Sequence, residues 1–435
     1  MPGDKKGGWR YYLQKPVVVI FFLGFSGGLP FPLVYSTLTG WLEDAEIQRS
    51  TISTFAWLGF AYSFKFLWSP LIDNVKIPLL TGWLGHRRAW LFTSQLVLGA
   101  SLFSLAVIDP GREMTAFATI AVAVAFLSAT QDIVIDAYRI ESAEQELQSV
   151  LAASYQYGYR LAVLVATAGA LYVAQFASWT MAYQAMAGCM GVGLITTLFC
   201  SEPKVRAGIT GKLTGGFVEQ AGRWIYIAVV EPFADFVKRF HRWSFILLAF
   251  IACFYISDRV LGILALPFYL DIGFSKVEVG TVAKLYGYWV SLLGIAAGAA
   301  AAIRYGLARC IIAATVLIVS TNLFFATMAI AGPRIELLTL TISFDNFAAG
   351  FGSTIMIAFM SSLINVRFTA TQYALLSSIS TFFGKLIAGY SGDIQLAFGW
   401  LNFFLYAAAT GIPAIVLGVI VARRHARIVQ EIEPE

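Results

Sequence analysis

Long apolar stretches recur along the whole of this 435-residue chain. Each stretch runs for about 18–25 residues with few charges, which is the length that a helix needs to cross the hydrocarbon core of a bilayer. The composition agrees, because 58% of the residues are hydrophobic and only 13% are charged. A soluble domain carries roughly twice that charged fraction. The sequence therefore predicts an all-α integral membrane protein.

The number of these stretches predicts a large helical bundle. At roughly 35 residues for one span and its connection, the chain has room for about twelve transmembrane helices. The predicted spans are residues 17–40, 51–73, 88–108, 114–138, 149–175, 179–199, 243–269, 277–302, 307–330, 335–363, 371–396 and 400–422. Residues 1–15 are polar and basic and the apolar run after them is a full span, so we expect no cleaved signal peptide.

The basic residues predict the orientation of the bundle. Of the 30 lysines and arginines, only Arg49, Arg112, Lys276 and Arg334 fall in the predicted outer loops, whereas most of the others fall in the inner connections. Lysine and arginine are enriched in cytoplasmic loops. We therefore expect an even number of spans, with both termini in the cytoplasm.

One long connection divides the predicted spans into two groups of six. Within it, residues 224–240 place apolar side chains on one helical face and lead into basic residues, which predicts an amphipathic helix on the inner membrane surface. A weak repeat, Gly158-Tyr-Arg160-Leu-Ala against Gly384-Lys385-Leu-Ile-Ala, predicts that the two groups are pseudo-symmetric. This is the plan of a transporter whose halves rock around a central site. The expected domains are a cytoplasmic segment 1–16, a six-helix bundle 17–200, a cytoplasmic linker 201–242, a second six-helix bundle 243–422 and a cytoplasmic tail 423–435.

Two carboxylates inside one predicted span are the first candidates for chemistry. Asp132 and Asp136 are four residues apart, so they lie one turn apart on the same helix face. Acids within a membrane are usually paired, exposed to a water-filled cavity or used to carry protons. One interpretation is therefore a proton-coupling site. The alternatives are a structural pairing of Asp132 with Lys65 or Arg160 and of Asp136 with Arg139, or simple exposure at the membrane interface.

Other ionisable residues inside the predicted spans are candidates to bind substrate or to balance charge. They are Lys65, Arg160, Asp258, Arg259, Lys284, Asp345, Lys385 and Asp393. Helix rise places Lys65 and Arg160 at the level of Asp132. It groups Asp258, Arg259 and Lys284 in the outer part of the C-terminal half. Each cation either captures an anionic substrate or neutralises an acid, and the sequence leaves both roles open.

A polar connection between the second and third predicted spans is a candidate gate. It contains Leu67-Trp-Ser-Pro-Leu-Ile-Asp73 and Gly85-His-Arg-Arg88. Asp73 is placed to cap a helix or to pair with Arg87 and Arg88. The two interpretations are a gating latch and an ordinary loop anchor. Elsewhere in the spans, tyrosines that include Tyr62, Tyr155 and Tyr159 either line a sugar-sized cavity or serve packing.

Several classes of function are disfavoured. The sequence has no phosphate-binding loop ending in Lys-Ser/Thr, no nucleophile elbow and no metal-binding motif. We therefore expect neither ATP drive nor a cofactor, and the basic inner loops do not indicate nucleic-acid binding. The expected protein is a monomeric carrier of a small molecule and protons. A polytopic membrane enzyme and a non-transporting sensor are the alternatives from other classes.

Five segments give the chain a resemblance to a known family. They are Phe22-Leu-Gly-Phe-Ser-Gly-Gly-Leu-Pro30, Lys65-Phe-Leu-Trp-Ser-Pro-Leu-Ile-Asp73, Ser128-Ala-Thr-Gln-Asp-Ile-Val-Ile-Asp-Ala137, Asp345-Asn-Phe-Ala-Ala-Gly350 and Arg367-Phe-Thr-Ala-Thr-Gln-Tyr-Ala-Leu-Leu376. Through them the chain resembles the AmpG-type muropeptide permeases. These form a branch of the major facilitator superfamily that also includes acetyl-coenzyme A transporters.

The resemblance implies a proton-driven importer of anhydromuropeptides in a bacterial inner membrane, with roles in peptidoglycan recycling and in β-lactamase induction. It also implies that Asp132 and Asp136 couple transport to protons, and that Ala129 and Gln131 take part in transport. Well-known members carry two spans more than the twelve expected here. The alternative substrates are acetyl-coenzyme A and other anionic metabolites or drugs.

Overall fold

The computed structural model describes residues 13–203, 226 and 230–430. These residues form helices without any strand among them, which confirms the predicted all-α class. Their contacts divide the chain into two units. Unit 1 is Met1–Pro232 together with Ile364–Leu375, and unit 2 is Phe233–Leu363 together with Leu376–Glu435.

Unit 1 is built from helices of very different length. They are α1 (Lys15–Gly28), α2 (Pro30–Leu33), α3 (Ser36–Asp44), α4 (Arg49–Thr54), α5 (Gly59–Ser63), α6 (Ser69–Asn74), α7 (Leu80–Leu84), α8 (His86–Val107), α9 (Met114–Glu141), α10 (Gln148–Leu164), α11 (Ala170–Phe176), α12 (Trp179–Cys189) and α13 (Gly191–Phe199). Short 3-10 turns lie at Phe55–Leu58, Lys65–Leu67 and Gln145–Leu147, and a π-helical turn lies at Val165–Gly169.

The predicted second span, residues 51–73, is a series of short helical pieces rather than one continuous helix. Near its end, Pro70 has no N–H group for the helical hydrogen-bond ladder. The hydroxyl of Ser69 donates to the carbonyl of Phe66 at 2.9 Å, which helps to close the turn before the proline. Lys65 lies in one of these pieces, the 3-10 turn Lys65–Leu67.

Unit 2 contains fewer interruptions. Its helices are α14 (Glu231–Phe240), α15 (Trp243–Phe254), α16 (Ile256–Asp271), α17 (Lys276–Val279), α18 (Gly287–Tyr305), α19 (Leu307–Ala331), α20 (Ile335–Ser362), α21 (Thr369–Ala388) and α22 (Ser391–Gln430). A π-helical turn lies at Gly280–Tyr286, and a 3-10 turn at Val366–Phe368 belongs to the segment of unit 1 that precedes α21. Helices α14 and α21 begin in unit 1 and continue in unit 2, and α22 is kinked at Gly399, where φ is 74°.

Ten helical segments in the described part of the chain are long and apolar enough to cross a membrane. They coincide with all the predicted spans except 51–73 and 371–396. The number of crossings and the side on which the termini lie therefore remain predictions, as do the domain boundaries. The predicted linker falls largely on residues 204–225 and 227–229, outside the described residues. At its described end, Phe236 and Phe240 of α14 are buried while Lys238 is exposed.

Close contacts at glycine hold α1 against α10. A methyl group at Gly24 would overlap the carbonyl oxygen of Tyr155, and one at Gly158 would overlap that of Phe21. Small residues allow membrane helices to approach each other this closely. Gly384 of α21, the predicted repeat partner of Gly158, lies against Arg259 of α16. Each glycine therefore packs on the first membrane segment of its own unit, and the repeat itself stays a prediction.

Candidate functional site

Asp136 in α9 lies between two cations. Its Oδ2 is 3.7 Å from Lys65 Nζ, and its Oδ1 is 3.4 Å from the Nη2 of Arg139. The side chains of Lys65 and Arg139 are 10% and 0% exposed, and the Tyr373 ring lies 5.1 Å from the Arg139 guanidinium carbon. Buried cations without a counter-charge are costly. Asp136 is thus the counter-ion that both cations share.

Asp132, one turn earlier on α9, is placed differently. Its Oδ1 is buried and accepts no hydrogen bond from any described atom. A Cβ atom built at Gly27 of α1 would lie 3.3 Å from this oxygen and 3.6 Å from the hydroxyl of Tyr155. The absence of a side chain at Gly27 therefore leaves a carboxyl group and a hydroxyl group facing the same gap.

More buried polar atoms without partners surround Asp132. They are the hydroxyls of Tyr62 and Ser128 and both amide atoms of Gln131, none of which makes a hydrogen bond among the described residues. The Tyr62 hydroxyl neighbours Ser128 and Asp132. Buried polar atoms in folded proteins nearly always have a partner. Together with Asp132 Oδ1, these atoms are among the few buried polar atoms that the described residues leave without a hydrogen bond.

The predicted ion pairs of this site are partly formed. Asp136 pairs with Arg139, as the structural-pairing alternative has it. Lys65, however, comes within ion-pair distance of Asp136 rather than of Asp132. Its charge also acts on Asp132, so the alternative Lys65–Asp132 pair is present only as a longer-range attraction. Arg160 on α10 is half-buried and interacts with its surroundings.

The predicted site residues of unit 2 form a second acidic neighbourhood. Asp345 of α20 and Asp258 of α16 are close enough for their charges to interact. The cations Arg259, Lys284 and Lys385 are exposed. The structure therefore brings the two acids together, as happens with the acid pair in unit 1.

The predicted gate contains a buried ion cluster. Arg87, at the start of α8, donates to Asp73 Oδ1 at 2.8 Å and to Glu141 Oε1 at 2.7 Å. The side chains of Arg87, Asp73 and Glu141 are 3%, 2% and 1% exposed. Charge-assisted bonds at such lengths are strong when they are buried and fully paired. The cluster ties the polar connection before α8 to the end of α9.

Asp73 also holds the start of α21. It accepts hydrogen bonds from the N–H of Ala370 at 3.1 Å, from the N–H of Thr371 at 2.8 Å and from the Thr371 hydroxyl at 2.7 Å. The first N–H groups of a helix have no partner inside it, and the positive end of the helix dipole attracts an acid. Asp73 therefore performs both of its predicted roles, the helix cap and the partner of a basic residue.

Arg88 makes contacts of another kind. Its guanidinium donates to the carbonyls of Thr197 at 2.9 Å and of Leu198 at 2.7 Å, near the end of α13. Just beyond that helix, Glu202 accepts the N–H groups of Arg87 and Arg88 at 2.8 and 3.0 Å. Burial raises the pKa of Glu202, and these two bonds oppose the rise. The contacts of Arg88 fit the loop-anchor interpretation.

Sequence reasoning missed several members of these clusters. Glu141 carried a usable signal, since it is an acid at the end of an apolar span among many basic inner residues. Ser128 carried a weaker one, because it lies one helical turn before Asp132. Nothing local in the sequence indicates that Thr371 binds a residue about 300 positions earlier.

The fold agrees with solved transporter structures. The chain is similar to the major facilitator proton:xylose symporter XylE, with a TM-score of 0.65 and 12% identity over 95% of each chain. It is also similar to the human organic anion transporter MFSD10, with a TM-score of 0.60 and 14% identity over 95% of this chain and 100% of that one. The chain therefore has the major facilitator fold.

Sequence relatives define the family within that class. The chain is 34% identical to "Putative transporter AmpG 4" of Rickettsia felis, over 92% of this chain and 94% of the relative. It is 32% identical to the anhydromuropeptide permease of Escherichia coli K12, over 94% of this chain and 80% of the relative. The sequence profile of the family "Acetyl-coenzyme A transporter 1" matches residues 16–114. The chain belongs to the AmpG transporter family, which confirms the resemblance seen in its motifs.

Proposed function

We propose that this transporter imports anhydromuropeptides, the GlcNAc–anhydroMurNAc peptides of peptidoglycan recycling, together with protons. The substrate is suggested by the Escherichia coli relative, which is named an anhydromuropeptide permease and is 32% identical. Import across a bacterial inner membrane agrees with the basic inner loops, which favour cytoplasmic termini. The protein acts as a monomer in the bilayer and exposes its site to the two sides in turn.

Proton coupling is supported above all by the state of Asp132. Its buried Oδ1 accepts no hydrogen bond within the described chain, whereas Asp136 is held by Lys65 and Arg139. An ionised carboxylate is costly in a membrane interior unless it is paired or hydrated. Asp132 is able to take up and release a proton without breaking the ion pairs next to it. We therefore assign it the proton, and Asp136 the fixed charge.

The peptide part of the substrate needs cations and hydrogen-bond donors. Arg160 in unit 1 and Arg259, Lys284 and Lys385 in unit 2 are the candidates for its carboxylates, and Gln131 is a candidate for an amide. Asp258 and Asp345 balance part of the positive charge of unit 2. This assignment follows from residue type and position within the membrane segments.

The gate in this proposal is the bond between Asp73 and the start of α21. Asp73 joins Thr371 to the Arg87–Glu141 pair, and α21 continues from Thr371 into unit 2. Breaking and re-forming this contact changes access to the site in each transport cycle. Arg88 supports the same region by fixing α13.

Uptake by reconstituted vesicles tests the proposal. Purified protein in proteoliposomes is given labelled anhydromuropeptide with and without an inward proton gradient, and a proton ionophore serves as the control. We expect accumulation only with the gradient. Accumulation that ignores both the gradient and the ionophore would reject proton coupling. A complete absence of flux, in vesicles that bind the label, would indicate a sensor rather than a carrier.

Acetyl-coenzyme A is the second candidate substrate, because the acetyl-coenzyme A transporter profile matches residues 16–114. That segment includes Lys65, Asp73 and Arg87, so it covers part of the candidate site and of the gate. The same vesicles distinguish the two cargoes when each is offered as the labelled substrate and the other as the competitor. Uptake of labelled acetyl-coenzyme A that anhydromuropeptide does not inhibit would favour this second function.

A further inference from the structure

Two candidate membrane segments of unit 2 meet at one aromatic ring. The segment Trp243–Asp271 begins with Trp243, and the segment Ser391–Arg424 ends with Arg424. The guanidinium carbon of Arg424 lies 5.3 Å from the centre of the Trp243 ring, and that of Arg242 lies 5.8 Å from it. A guanidinium within about 6 Å of a tryptophan ring is attracted to the ring. The ring therefore holds two arginines near each other at the boundary of the membrane-crossing part. We call Arg242, Trp243 and Arg424 the boundary site.

The positive charge at the boundary site has no counter-charge within the described part of the chain. Arg242 and Arg424 are exposed, as are Lys238 near the end of α14 and Arg423 beside Arg424. None of these four residues makes an ion pair with a described residue. Like charges that are held close together repel each other. An anion bound by the two arginines would relieve that repulsion.

The acids of α14 do not supply this anion, because other cations hold them. Asp235 lies 2.9 Å from the Nε of Arg239, and Glu231 lies 3.1 Å from the Nη1 of Arg367. These are the two acids of the helix, and both belong to ion pairs that leave out the boundary site. The anion that neutralises Arg242 and Arg424 must therefore come from outside α14.

Exposed apolar side chains lie one helical turn from both arginines, on the membrane side. Phe245, three residues after Arg242, is 79% exposed, and Ile420, four residues before Arg424, is 37% exposed. Residues three or four apart share one face of a helix. Exposed apolar residues within a membrane-crossing segment face the lipid chains. A ligand at the boundary site therefore meets positive charge first and apolar surface next to it, which is the order of the headgroup and the acyl chains in a phospholipid.

From these observations we propose that the boundary site binds the headgroup of an anionic phospholipid such as phosphatidylglycerol. A guanidinium group pairs with phosphate oxygens through two parallel hydrogen bonds, and basic pockets between membrane helices on the cytoplasmic side bind anionic headgroups. The distribution of basic residues predicts that this end of unit 2 faces the cytoplasm. A zwitterionic lipid fits less well, because the same two arginines repel its ammonium group. The inference does not depend on which cargo the protein carries.

Lipid titration of the purified protein in a nonionic detergent tests the site, with bound lipid counted by native mass spectrometry. The lipids are phosphatidylglycerol and phosphatidylcholine with the same acyl chains, and the test variant is Arg242→Gln/Arg424→Gln. The matched control is Arg304→Gln/Arg309→Gln. It removes two exposed arginines from another predicted inner connection of unit 2, one of which lies 5.5 Å from the centre of the Tyr305 ring.

We expect the unchanged protein to bind phosphatidylglycerol and to prefer it to phosphatidylcholine. The test variant should raise the Kd for phosphatidylglycerol about thirtyfold, because each basic residue near the membrane surface adds to the attraction of an anionic lipid. The control should leave that Kd close to the value of the unchanged protein. Trp243→Leu keeps both charges and should also weaken phosphatidylglycerol binding, because the two arginines lose the ring that holds them.

Two results would overturn the proposal. Equal affinities of the unchanged protein for the two lipids, or equal losses in the test variant and the control, would indicate only the general attraction of basic residues to anionic lipid. Inorganic phosphate that displaces phosphatidylglycerol at the concentration of the lipid would mean that the site recognises a soluble anion. Lipid that stays bound in the presence of that phosphate supports the lipid site.

Two further readings complete the test. An unchanged Kd in Trp243→Leu would show that the role given to the ring is wrong. Melting temperatures measured without added lipid verify that each variant is folded. Should Trp243→Leu fail to fold, the two double variants, which exchange only exposed arginines, still decide whether the boundary site binds the lipid.

Discussion

Asp132→Asn and Asp136→Asn remove the same charge one turn apart on α9, but we expect them to affect different properties. Asp136→Asn should lower the stability of the protein, and Asp132→Asn should abolish its coupling to protons. Asp136→Asn leaves Lys65 and Arg139, which are 10% and 0% exposed, without their shared carboxylate. Removing one partner of a buried ion pair costs about 3–5 kcal/mol. That is a large share of the 5–15 kcal/mol that typically stabilises a folded domain. We therefore expect a clear loss of thermal stability.

Asp132→Asn removes an acid whose buried oxygen has no hydrogen-bond partner, so we expect its free energy of unfolding to change by about 1 kcal/mol or less. Its effect should appear in energy coupling instead. With one proton per substrate, a gradient of one pH unit supplies about 1.4 kcal/mol, which corresponds to about tenfold accumulation of an uncharged cargo. The Asp132→Asn protein should lose that accumulation while it still exchanges labelled for unlabelled substrate.

Two measurements on the same preparations check this prediction. Thermal unfolding in detergent compares the stabilities, and proteoliposomes compare gradient-driven uptake with exchange of preloaded substrate. Adding Lys65→Gln to Asp136→Asn should recover part of the lost stability, because one uncompensated cation is removed. An equal drop in melting temperature for both single variants would refute the assignment of partners. Gradient-driven accumulation by Asp132→Asn would refute its role as the proton carrier.

Four further substitutions test the site, the helix packing beside it and the gate. Gly27→Ala should raise the Km for anhydromuropeptide with little loss of stability, since its methyl group meets only side-chain atoms. Gly24→Ala should instead lower the melting temperature, because its methyl group overlaps the backbone of α10; equal melting temperatures would contradict this contrast. Asp73→Asn should reduce the maximal uptake rate about tenfold by weakening a charged helix cap, and an unchanged rate would argue against a gate. Arg160→Ala should raise the Km for an acidic substrate in concentration-dependent uptake, and an unaltered Km would make Arg160 structural.

The membrane segments could be predicted from the sequence because their cause is local. A helix must bury its own hydrogen bonds in hydrocarbon, so each crossing leaves a continuous apolar run. The exceptions have local causes as well. Residues 51–73 contain Pro70 and hydroxyl residues that interrupt the helix, and the region 371–396 is split between α21 and α22.

The sequence alone does not decide whether Lys65 pairs with Asp132 or with Asp136. Four residues of helix rise separate Asp132 from Asp136 by only about 6 Å, so depth in the membrane did not distinguish them. The choice depends on how the 3-10 turn Lys65–Leu67 rotates the lysine, and this rotation is set by tertiary packing. The same holds for Thr371, whose contact with Asp73 joins distant parts of the chain.

Helix α9 carries both the proposed proton site and one end of the buried ion cluster. Asp132 and Glu141 are nine residues apart, or about 13 Å along the helix axis, with Asp136 and Arg139 between them. When Asp132 gains a proton, Asp136 still compensates Lys65 and Arg139, so the change in charge does not disrupt the core of unit 1. A carrier needs such an arrangement, because one group must change its charge in every cycle while its surroundings remain folded. A pair in which both acids exchanged protons would leave two buried cations unpaired in part of each cycle, at a cost of several kcal/mol.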